Sequence, residues 1–305
     1  MGRIIITGGS GYLGNALTRM LTHAGHEVIV LARKPERQTH LPEGARAARW
    51  DGATADGWSD LADGAHAIIN MAGGTIARPH WTPAYRRMLM ESRVNAGRAV
   101  VAAVGAARNK PALLVQMSGI NYYGDTADRE ADESTPAGSD YFARICVEWE
   151  RATAPVEALG VRRVTLRTSP VYGKNGGIYP LVALPFRLFI GGSLGHGKQY
   201  APWIHLTDWL NAVQFLMDDP SAHGAYNLTA PDPLTQGASA RVFGKILRRP
   251  SFMSAPAFAL RLALGEIADL ILLTGQRAQP KRLLDAGFQF RFPTLEAALR
   301  EIESK

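Results

Sequence analysis

The sequence contains little cysteine, no long apolar run and no cluster of metal-ligand residues. Cys146 is the only cysteine in 305 residues, which excludes an intramolecular disulfide framework and favours a reducing compartment. No apolar stretch approaches the roughly 20 residues of a membrane span. A strand pattern starts directly after Met1, so we expect no signal peptide. No set of His, Cys, Asp and Glu has metal-ligand spacing, so we predict no metal.

The sequence also lacks any block of like charges. The formal net charge is +7 and the isoelectric point is about 9.7, but the Lys and Arg residues are scattered. A basic balance occurs in proteins that bind nucleic acids, anionic membranes or anionic cofactors, and the scatter argues against nucleic acid. We therefore expect a cytoplasmic protein with no nucleic-acid or membrane partner.

Strand patterns and helix patterns alternate through the first half of the chain. This alternation predicts an α/β fold with a doubly wound parallel sheet and helices on both faces. The predicted strands are 3–7, 27–31, 45–50, 67–71, 113–118 and 161–167, and the predicted helices are 15–24, 81–107 and 142–159. Each strand ends in small or polar residues, where such a sheet places its ligand crevice.

The pattern changes after Gly173. Residues 174–202 are rich in glycine and proline, and residues 231–305 are mainly helical and apolar. Between them, a helix at 205–217 and a strand at 225–228 indicate a return to the sheet. We therefore predict a nucleotide-binding domain at 1–173 that the chain rejoins at about 203–230. The segments 174–202 and 231–305 would form a smaller, mainly helical substrate lobe.

A glycine-rich turn joins the first strand to the first helix, with glycines at Gly8, Gly11 and Gly14. In this context the first glycine permits a tight turn, the second admits a pyrophosphate, and the third allows close helix–strand packing. The motif therefore predicts a dinucleotide cofactor. The other predicted contacts in the turn are Ser10, Tyr12 and Leu13.

The end of the second strand indicates which dinucleotide is bound. An NAD site usually has a carboxylate there, whereas this chain has Arg33 and Lys34. Two cations suit the 2′-phosphate of NADP(H), which is the predicted cofactor; a solvated basic loop is the alternative. Asp51 follows the third strand and either accepts from the adenine amino group or serves a surface turn.

Two further sites lie along the predicted crevice. Asn70, Ala72 and Gly73 end the fourth strand, and their small side chains let the backbone pass close to the cofactor ribose. Arg93 lies on the following helix. It either binds an anionic substrate or a cofactor phosphate, or it forms an ion pair on the helix surface.

Several motifs then follow in a recognisable order: the glycine turn and segments 70–73, 122–124, 167–173 and 203–208. This order resembles the short-chain dehydrogenase/reductase superfamily in its extended, epimerase-like branch. Segments 91–93, 146–150, 191–197 and 275–277 narrow the resemblance to the SDR39U1-like group of atypical epimerase family proteins. The resemblance covers essentially the whole chain. It implies a Rossmann-type fold with a C-terminal helical region and an oxidoreductase or epimerase ancestry.

Ordinary members of that superfamily carry a Tyr and a Lys four residues apart on one helix. The Tyr exchanges the proton at the reacting oxygen, while the Lys lowers its pKa and holds the nicotinamide ribose. Helix 142–159 has no lysine. Alignment on Glu150 puts Cys146 at the lysine position and Phe142 at the tyrosine position. Tyr141 lies about 100° around the helix, so we do not expect it to substitute.

Other residues could supply the proton. The resemblance implies that the Ser118 hydroxyl bonds to the reacting oxygen. Counting back from Tyr123 and Gly124 by the family's usual spacing reaches Gly119, however, one residue after Ser118. Tyr122 follows the same strand at the crevice, and His205 is a candidate because the unperturbed pKa of a histidine is suited to proton transfer. Packing or hydrogen bonding is the alternative role of each. The resemblance also implies cofactor contacts at Ser118, Ser169 and Val171.

We therefore predict an NADP(H)-binding atypical short-chain dehydrogenase/reductase. It would act as an oxidoreductase or epimerase-like enzyme on a small polar or anionic molecule. The alternative is a non-catalytic NADP(H)-binding or redox-sensing protein, because the Tyr–Lys pair is missing. We expect a monomer or a homodimer, the latter through the helices at 81–107 and 142–159.

Overall fold

A computed structural model describes residues 1–174 and 176–304. The strands are β1 (Arg3–Thr7), β2 (Glu27–Ala32), β3 (Ala45–Arg49), β4 (Ala67–Asn70), β5 (Leu113–Gly119), β6 (Glu130–Ala131), β7 (Arg162–Thr168), β8 (Val171–Gly173), β9 (Gly176–Gly177), β10 (Ile204–His205), β11 (Gly224–Leu228) and β12 (Arg277–Ala278). Seven of them form one parallel sheet in the order β11-β7-β5-β4-β1-β2-β3. The predicted doubly wound α/β fold is confirmed.

The helices cover this sheet and build the smaller lobe. They are α1 (Tyr12–His23), α2 (Pro83–Ala106), α3 (Tyr141–Thr153), α4 (Tyr179–Arg187), α5 (Leu206–Asp218), α6 (Gln236–Leu247), α7 (Ala257–Leu264), α8 (Lys281–Asp285) and α9 (Leu295–Glu303). No helix in the described ranges is long and apolar enough to cross a membrane.

The first strand shows why the sheet is covered on both faces. Ile4 and Ile6 join one buried cluster with Leu17 of α1, whereas Ile5 joins a second cluster with Val100 of α2. Successive side chains of a strand point to opposite faces, so an uninterrupted apolar run needs a helix layer on each side. The parallel strands all end at one edge, where the predicted site residues collect.

One predicted helix is shorter than the pattern indicated. The prediction ran from 142 to 159, but α3 ends at Thr153 and a 3₁₀ turn covers Ala154–Leu159. Pro155 explains the change, because proline lacks an amide hydrogen and clashes with the preceding helical turn. The 3₁₀ geometry keeps the chain close to β7, which begins at Arg162.

The lobe has its own core. The rings of Tyr172, Tyr179, Phe186 and Phe243 pack against one another, some stacked and some edge-on, with centroids 5.3 to 6.1 Å apart, between β8, α4 and α6. Leu299 of α9 packs into the same cluster. Aromatic side chains bury large areas, so this cluster stabilises a unit beside the sheet rather than an extended loop.

The predicted boundary assigned all of residues 231–305 to this lobe, but part of that segment packs on the main sheet instead. Leu283 and Phe288 are buried in the main core beside β11. The Asp208 carboxylate of α5 accepts hydrogen bonds from the amides of Arg291 and Phe292, at 2.7 and 2.9 Å. Residues near 277–292 therefore complete the main body, because the outer face of β11 and α5 would otherwise be exposed.

Candidate cofactor-binding and active site

Two glycines of the turn are required by the fold itself. Gly8 has a φ of +70°, and a Cβ there would lie 2.8 Å from the Met71 carbonyl oxygen. A Cβ on Gly14 would lie 2.5 Å from the Gly9 Cα atom. Both distances are shorter than any normal contact, so side chains at these positions would push β1, β4 and α1 apart.

Gly11 differs from both, because nothing inside the protein requires a glycine there. Its φ of −80° and ψ of 175° are open to any residue, and a Cβ would meet only the Gly8 carbonyl oxygen, at 3.5 Å. Gly11 is exposed and is the N-cap residue of α1, so no side chain accepts hydrogen bonds from the first amides of this helix. The start of α1 therefore combines open space with unsatisfied backbone donors, which is the arrangement that receives a phosphate.

The other three turn residues have different surroundings: solvent, the main core and the lobe. Ser10 is exposed and its carbonyl accepts from Asn15, while Leu13 packs partly against the main core. The Tyr12 ring instead packs on the backbone after β8, where a Cβ at Gly177 would lie 2.9 Å from it. Burial and the charge of Glu301 raise the pKa of Tyr12. The cofactor turn thus contacts the start of the lobe.

Asn70 is locked inside the protein, although the sequence predicted a cofactor contact. It is fully buried, accepts from the Thr7 hydroxyl at 2.6 Å and donates to Gln116 at 2.8 Å. The Thr7 hydroxyl oxygen also accepts from the amides of Met71 and Ala72, at 3.0 and 3.1 Å. This chain holds the loop after β4 in place, so Asn70 shapes the crevice without facing it. The sequence analysis did not single out Thr7.

The basic pair after β2 is exposed at the same edge. Arg33 and Lys34 are both exposed, and within the described part of the chain no acidic side chain pairs with either. Arg33 lies beside the turn at Gly52. Asp51 belongs to that turn: its carboxylate accepts from the Thr54 amide and hydroxyl at 2.9 and 2.8 Å, which lowers its pKa. These bonds favour the surface-turn role of Asp51 over an adenine contact.

Arg93 is a buried cation without an acidic neighbour in the described ranges. Its guanidinium donates to the carbonyls of Leu89 and Gly74, at 2.9 and 3.1 Å, and stacks over Trp149, 4.9 Å from the ring centroid. Burial lowers its pKa. A Cβ on Gly73 would lie 3.0 Å from the guanidinium carbon, so the loop after β4 rests on this charge. The surface ion pair considered from the sequence is wrong.

Ser118 belongs to a buried polar network. Its hydroxyl donates to Glu150 at 2.7 Å, and Glu150 forms a two-pronged ion pair with Arg167 at 3.0 and 3.1 Å. Burial disfavours the charge on Arg167, but the hydrogen bonds and charge of Glu150 outweigh it and raise the arginine pKa. Because Ser118 is only 2% exposed, its hydroxyl is committed to this network. No pattern in the sequence indicated the contact between Glu150 and Arg167.

The two tyrosines after β5 have different surroundings. Tyr123 is buried, donates to Asn227 at 2.7 Å and accepts from Arg167 at 3.0 Å; burial raises its pKa to about 12. Tyr122 is half-buried, and the Arg167 guanidinium lies 3.4 Å from its ring centroid. Its hydroxyl has no hydrogen-bond partner among the described residues. Tyr122 therefore has an oriented ring and an uncommitted hydroxyl.

Helix α3 presents no proton donor to this edge. Phe142 and Cys146 are buried. Burial and the charge of Glu150 raise the pKa of Cys146 to about 12, so the thiol stays protonated. The Tyr141 hydroxyl donates to the Arg86 carbonyl at 2.7 Å, on the α2 side. The expectation that Tyr141 does not substitute for the missing tyrosine agrees with this geometry.

The segment after β7 contributes backbone rather than side chains. The Ser169 hydroxyl is buried and donates to the Leu228 carbonyl at 2.9 Å. Val171 starts β8 and pairs with Ile204 of β10. Any cofactor contact at these two residues would therefore use main-chain groups. No cluster of three or more metal-ligating side chains occurs in the described residues.

His205 uses both ring nitrogens within the protein. Nδ1 accepts from the Thr207 amide at 3.1 Å, which caps α5, so Nε2 carries the proton and donates to Glu301 at 3.0 Å. The ring also packs on Phe292, with centroids 4.1 Å apart. This arrangement holds the last helix against the sheet and leaves no free nitrogen for a substrate.

The buried position of His205 predicts acid sensitivity. Burial lowers its pKa from 6.5, although Glu301 raises it in part. A histidine whose pKa is lower in the folded state binds its proton more weakly there than in the unfolded chain. The folded state is therefore most stable above about pH 6.5, and stability is lost as the pH falls from 6.5 toward the lower pKa of the folded state. We expect His205→Asn, which keeps a capping oxygen, to show a smaller fall in Tm than the parent between about pH 7.5 and 5.5. Parallel Tm curves for the two proteins would contradict this role.

The class of protein is settled by comparison over the whole chain. The model of the NAD dependent epimerase/dehydratase family matches residues 4–229, and the chain belongs to this family. A second model, a domain of unknown function (DUF1731), matches residues 255–302. The family resemblance read from the motifs is confirmed, including its C-terminal region.

Particular relatives are similar over nearly their whole length. The human epimerase family protein SDR39U1 is 33% identical over 303 residues, which cover 98% of this chain and 99% of the human protein. Epimerase family protein Mb2239 of Mycobacterium bovis is 36% identical over 296 residues, which cover 97% of this chain and 96% of that protein.

Solved structures of epimerase family proteins are also similar to this chain. The crystal structure of human SDR39U1 (isoform 2) with NADPH is 32% identical, with a TM-score of 0.87 and 98% of both chains covered. The nucleoside-diphosphate sugar epimerase from Corynebacterium glutamicum is 28% identical, with a TM-score of 0.77. That match covers 98% of this chain and 57% of the other.

Proposed function

We propose that the chain binds NADPH at the carboxyl edge of the sheet and uses it to reduce a small polar or anionic carbonyl compound. The open space at Gly11, beside the uncapped start of α1, carries the cofactor part of this proposal. Internal packing does not account for a glycine there, whereas a pyrophosphate over the helix does. The NADPH in the human relative's crystal structure supports the same cofactor here.

The residues present fit the pyrophosphate, the 2′-phosphate and the nicotinamide ribose of NADPH. The amides at the start of α1 would hold the pyrophosphate, and Arg33 and Lys34 would hold the 2′-phosphate. The loop fixed by Thr7 and Asn70 would lie along the nicotinamide ribose. When bound, the cofactor supplies a hydride, so the protein has to position a carbonyl group and deliver one proton.

The buried charge of Arg93 is the reason for proposing an anionic group on the substrate. A buried charge is costly unless an opposite charge or hydrogen bonds compensate it, and among the described residues Arg93 has two carbonyls and the Trp149 ring but no acid. The guanidinium lies under the loop after β4, next to the proposed path of the cofactor. A carboxylate or phosphate bound on the far side of that loop would be stabilised by this charge.

Tyr122 is the residue we propose as proton donor. The hydroxyl of Ser118 is donated to Glu150, and both nitrogens of His205 are engaged. Tyr122 follows β5 at the edge where the crevice lies, and the stacked Arg167 guanidinium fixes its ring. Its uncommitted hydroxyl can donate to a carbonyl oxygen that receives the hydride.

Turnover of NADPH tests this function. The purified protein with NADPH is mixed with a panel of keto acids, quinones and sugar nucleotides, and NADPH absorbance is followed. We expect oxidation with at least one anionic compound, and we expect Tyr122→Phe to lower kcat by about 100-fold while the NADPH Kd stays unchanged. Tyr141→Phe is the matched control and should keep full activity, because its hydroxyl bonds to α2. Equal loss in both variants would contradict the assignment.

A second candidate function is a non-catalytic NADP(H)-binding or redox-sensing protein. The observation in its favour is α3, where Phe142 and a protonated, buried Cys146 lie at the positions implied for the Tyr–Lys pair. This candidate predicts tight NADPH binding without oxidation by any compound of the panel. A difference in stability between the NADPH and NADP⁺ complexes would then support sensing.

A further inference from the structure

The smaller lobe exposes large apolar side chains on its outer surface. Phe252, Leu262 and Phe258 are 82%, 80% and 72% exposed, and Phe189 is 56% exposed. Side chains this exposed protrude from the surface and do not line a pocket. Soluble monomers rarely keep a large continuous apolar patch unless something binds it.

These side chains lie on neighbouring segments. The amide of Met253 donates to the Gly191 carbonyl at 3.1 Å, and the amide of Ala255 donates to the Ser193 carbonyl at 2.8 Å. The loop after α4 therefore runs beside residues 252–255, which lead directly into α7. On α7, Phe258 and Leu262 are four residues apart and share one side of the helix.

The segments that carry this surface contain several cations and no acid. Residues 179–202 and 235–262 contain seven Arg and Lys residues and no Asp or Glu. Three of the seven pair with acids from elsewhere, namely Arg187, Lys245 and Arg261. Arg248 and Arg249 are exposed, and in the described ranges neither has an acidic partner. The Arg249 guanidinium lies over the Phe189 ring, 4.6 Å from its centroid.

We propose that this surface, which we call the lobe face (Phe189, Arg248, Arg249, Phe252, Phe258 and Leu262), binds the surface of an anionic lipid bilayer. Protruding Phe and Leu side chains can enter the headgroup region, while arginines beside them contact anionic headgroups. A second copy of the chain fits less well, because pairing two lobe faces would place unpaired arginines against each other.

The proposal departs from the expectation that the protein has no membrane partner. That expectation rested on the absence of a long apolar segment. The lobe face is assembled from three separate segments, none of which is apolar enough to stand out in the sequence. Binding at a bilayer surface needs only such a face and no spanning helix.

Sedimentation with lipid vesicles tests the proposal. The full chain is mixed with vesicles of phosphatidylcholine, either alone or with about 30% phosphatidylserine, and the bound fraction is measured. We expect binding only to the anionic vesicles, weakening as salt is raised. Arg248→Gln/Arg249→Gln should weaken it by about 30-fold. Phe252→Ser/Phe258→Ser/Leu262→Ser should abolish it while NADPH binding stays unchanged.

The matched control is Arg108→Gln/Arg129→Gln, which removes the same charge from two exposed arginines outside the lobe face. It should bind the vesicles like the parent. Absence of binding to anionic vesicles, or equal weakening by the control, would overturn the proposal. Self-association that the triple serine variant removes would assign the face to a second copy instead. Loss of NADPH binding in that variant would assign it to the cofactor crevice.

Discussion

Gly11→Val is expected to abolish cofactor binding and leave the fold intact. The backbone at residue 11 is in an extended conformation, and a Cβ there meets no atom closer than 3.5 Å. The valine side chain would instead occupy the space over the start of α1 where the pyrophosphate has to lie. We expect the NADPH Kd to rise by more than about 100-fold, with Tm lowered only slightly. Titration calorimetry and thermal melting measure the two quantities.

Gly14→Val is the matched comparison. Here a Cβ would lie 2.5 Å from Gly9, so the substitution should destabilise or prevent folding before any cofactor is added. The pair of variants separates a glycine kept for a ligand from one kept for packing. If Gly11→Val binds NADPH like the parent, the pyrophosphate does not lie at this helix and the proposed function fails.

Arg33→Ala is expected to change the choice between NADPH and NADH. The arginine is exposed at the end of β2 without an ion-pair partner in the described chain, so its removal should not disturb the fold. Charge-assisted hydrogen bonds to a phosphate are worth about 1.5–3 kcal/mol. We therefore expect the NADPH Kd to rise by about 10- to 100-fold, while the NADH Kd stays within about twofold.

The control for this prediction is Arg108→Ala, which removes one exposed positive charge from the segment before β5, at the opposite edge of the sheet from Arg33. It should leave both affinities unchanged if the effect of Arg33 is a local contact. If Arg33→Ala weakens NADPH and NADH equally, the 2′-phosphate assignment is wrong and Arg33 contributes only a general positive potential. Lys34→Ala then distinguishes whether the neighbouring cation holds the phosphate.

The sheet could be predicted because each local signal agreed with the final fold. The three isoleucines at residues 4–6 form an apolar run, which is typical of a strand covered on both faces, and the glycine turn indicated the connection from this strand to α1. The boundary at Thr153 was missed, because Pro155 can begin a helical turn as well as break one. The membership of residues 277–292 in the main body was also missed, since it depends on contacts with β11 that leave no periodic pattern.

The candidate site divides in the same way. Residues that contact a ligand through backbone or open space, such as Gly11, leave a motif in the sequence. Residues that act through other side chains do not: His205 was considered for chemistry, and its role as a cap bonded to Glu301 depends on a residue 96 positions away. Thr7 is a similar case, because its partners are the Asn70 side chain and the amides of Met71 and Ala72, more than sixty positions away.

The packing of Leu283 and Phe288 beside β11 also affects how the protein can fold during synthesis. β11 ends at Leu228, yet two of the large apolar side chains in the same core cluster, Leu283 and Phe288, are translated some fifty positions later. At roughly 5–20 residues per second, this edge stays uncovered for several seconds after the strand leaves the ribosome. A fragment ending near residue 230 should therefore aggregate, even though it contains the whole seven-stranded sheet.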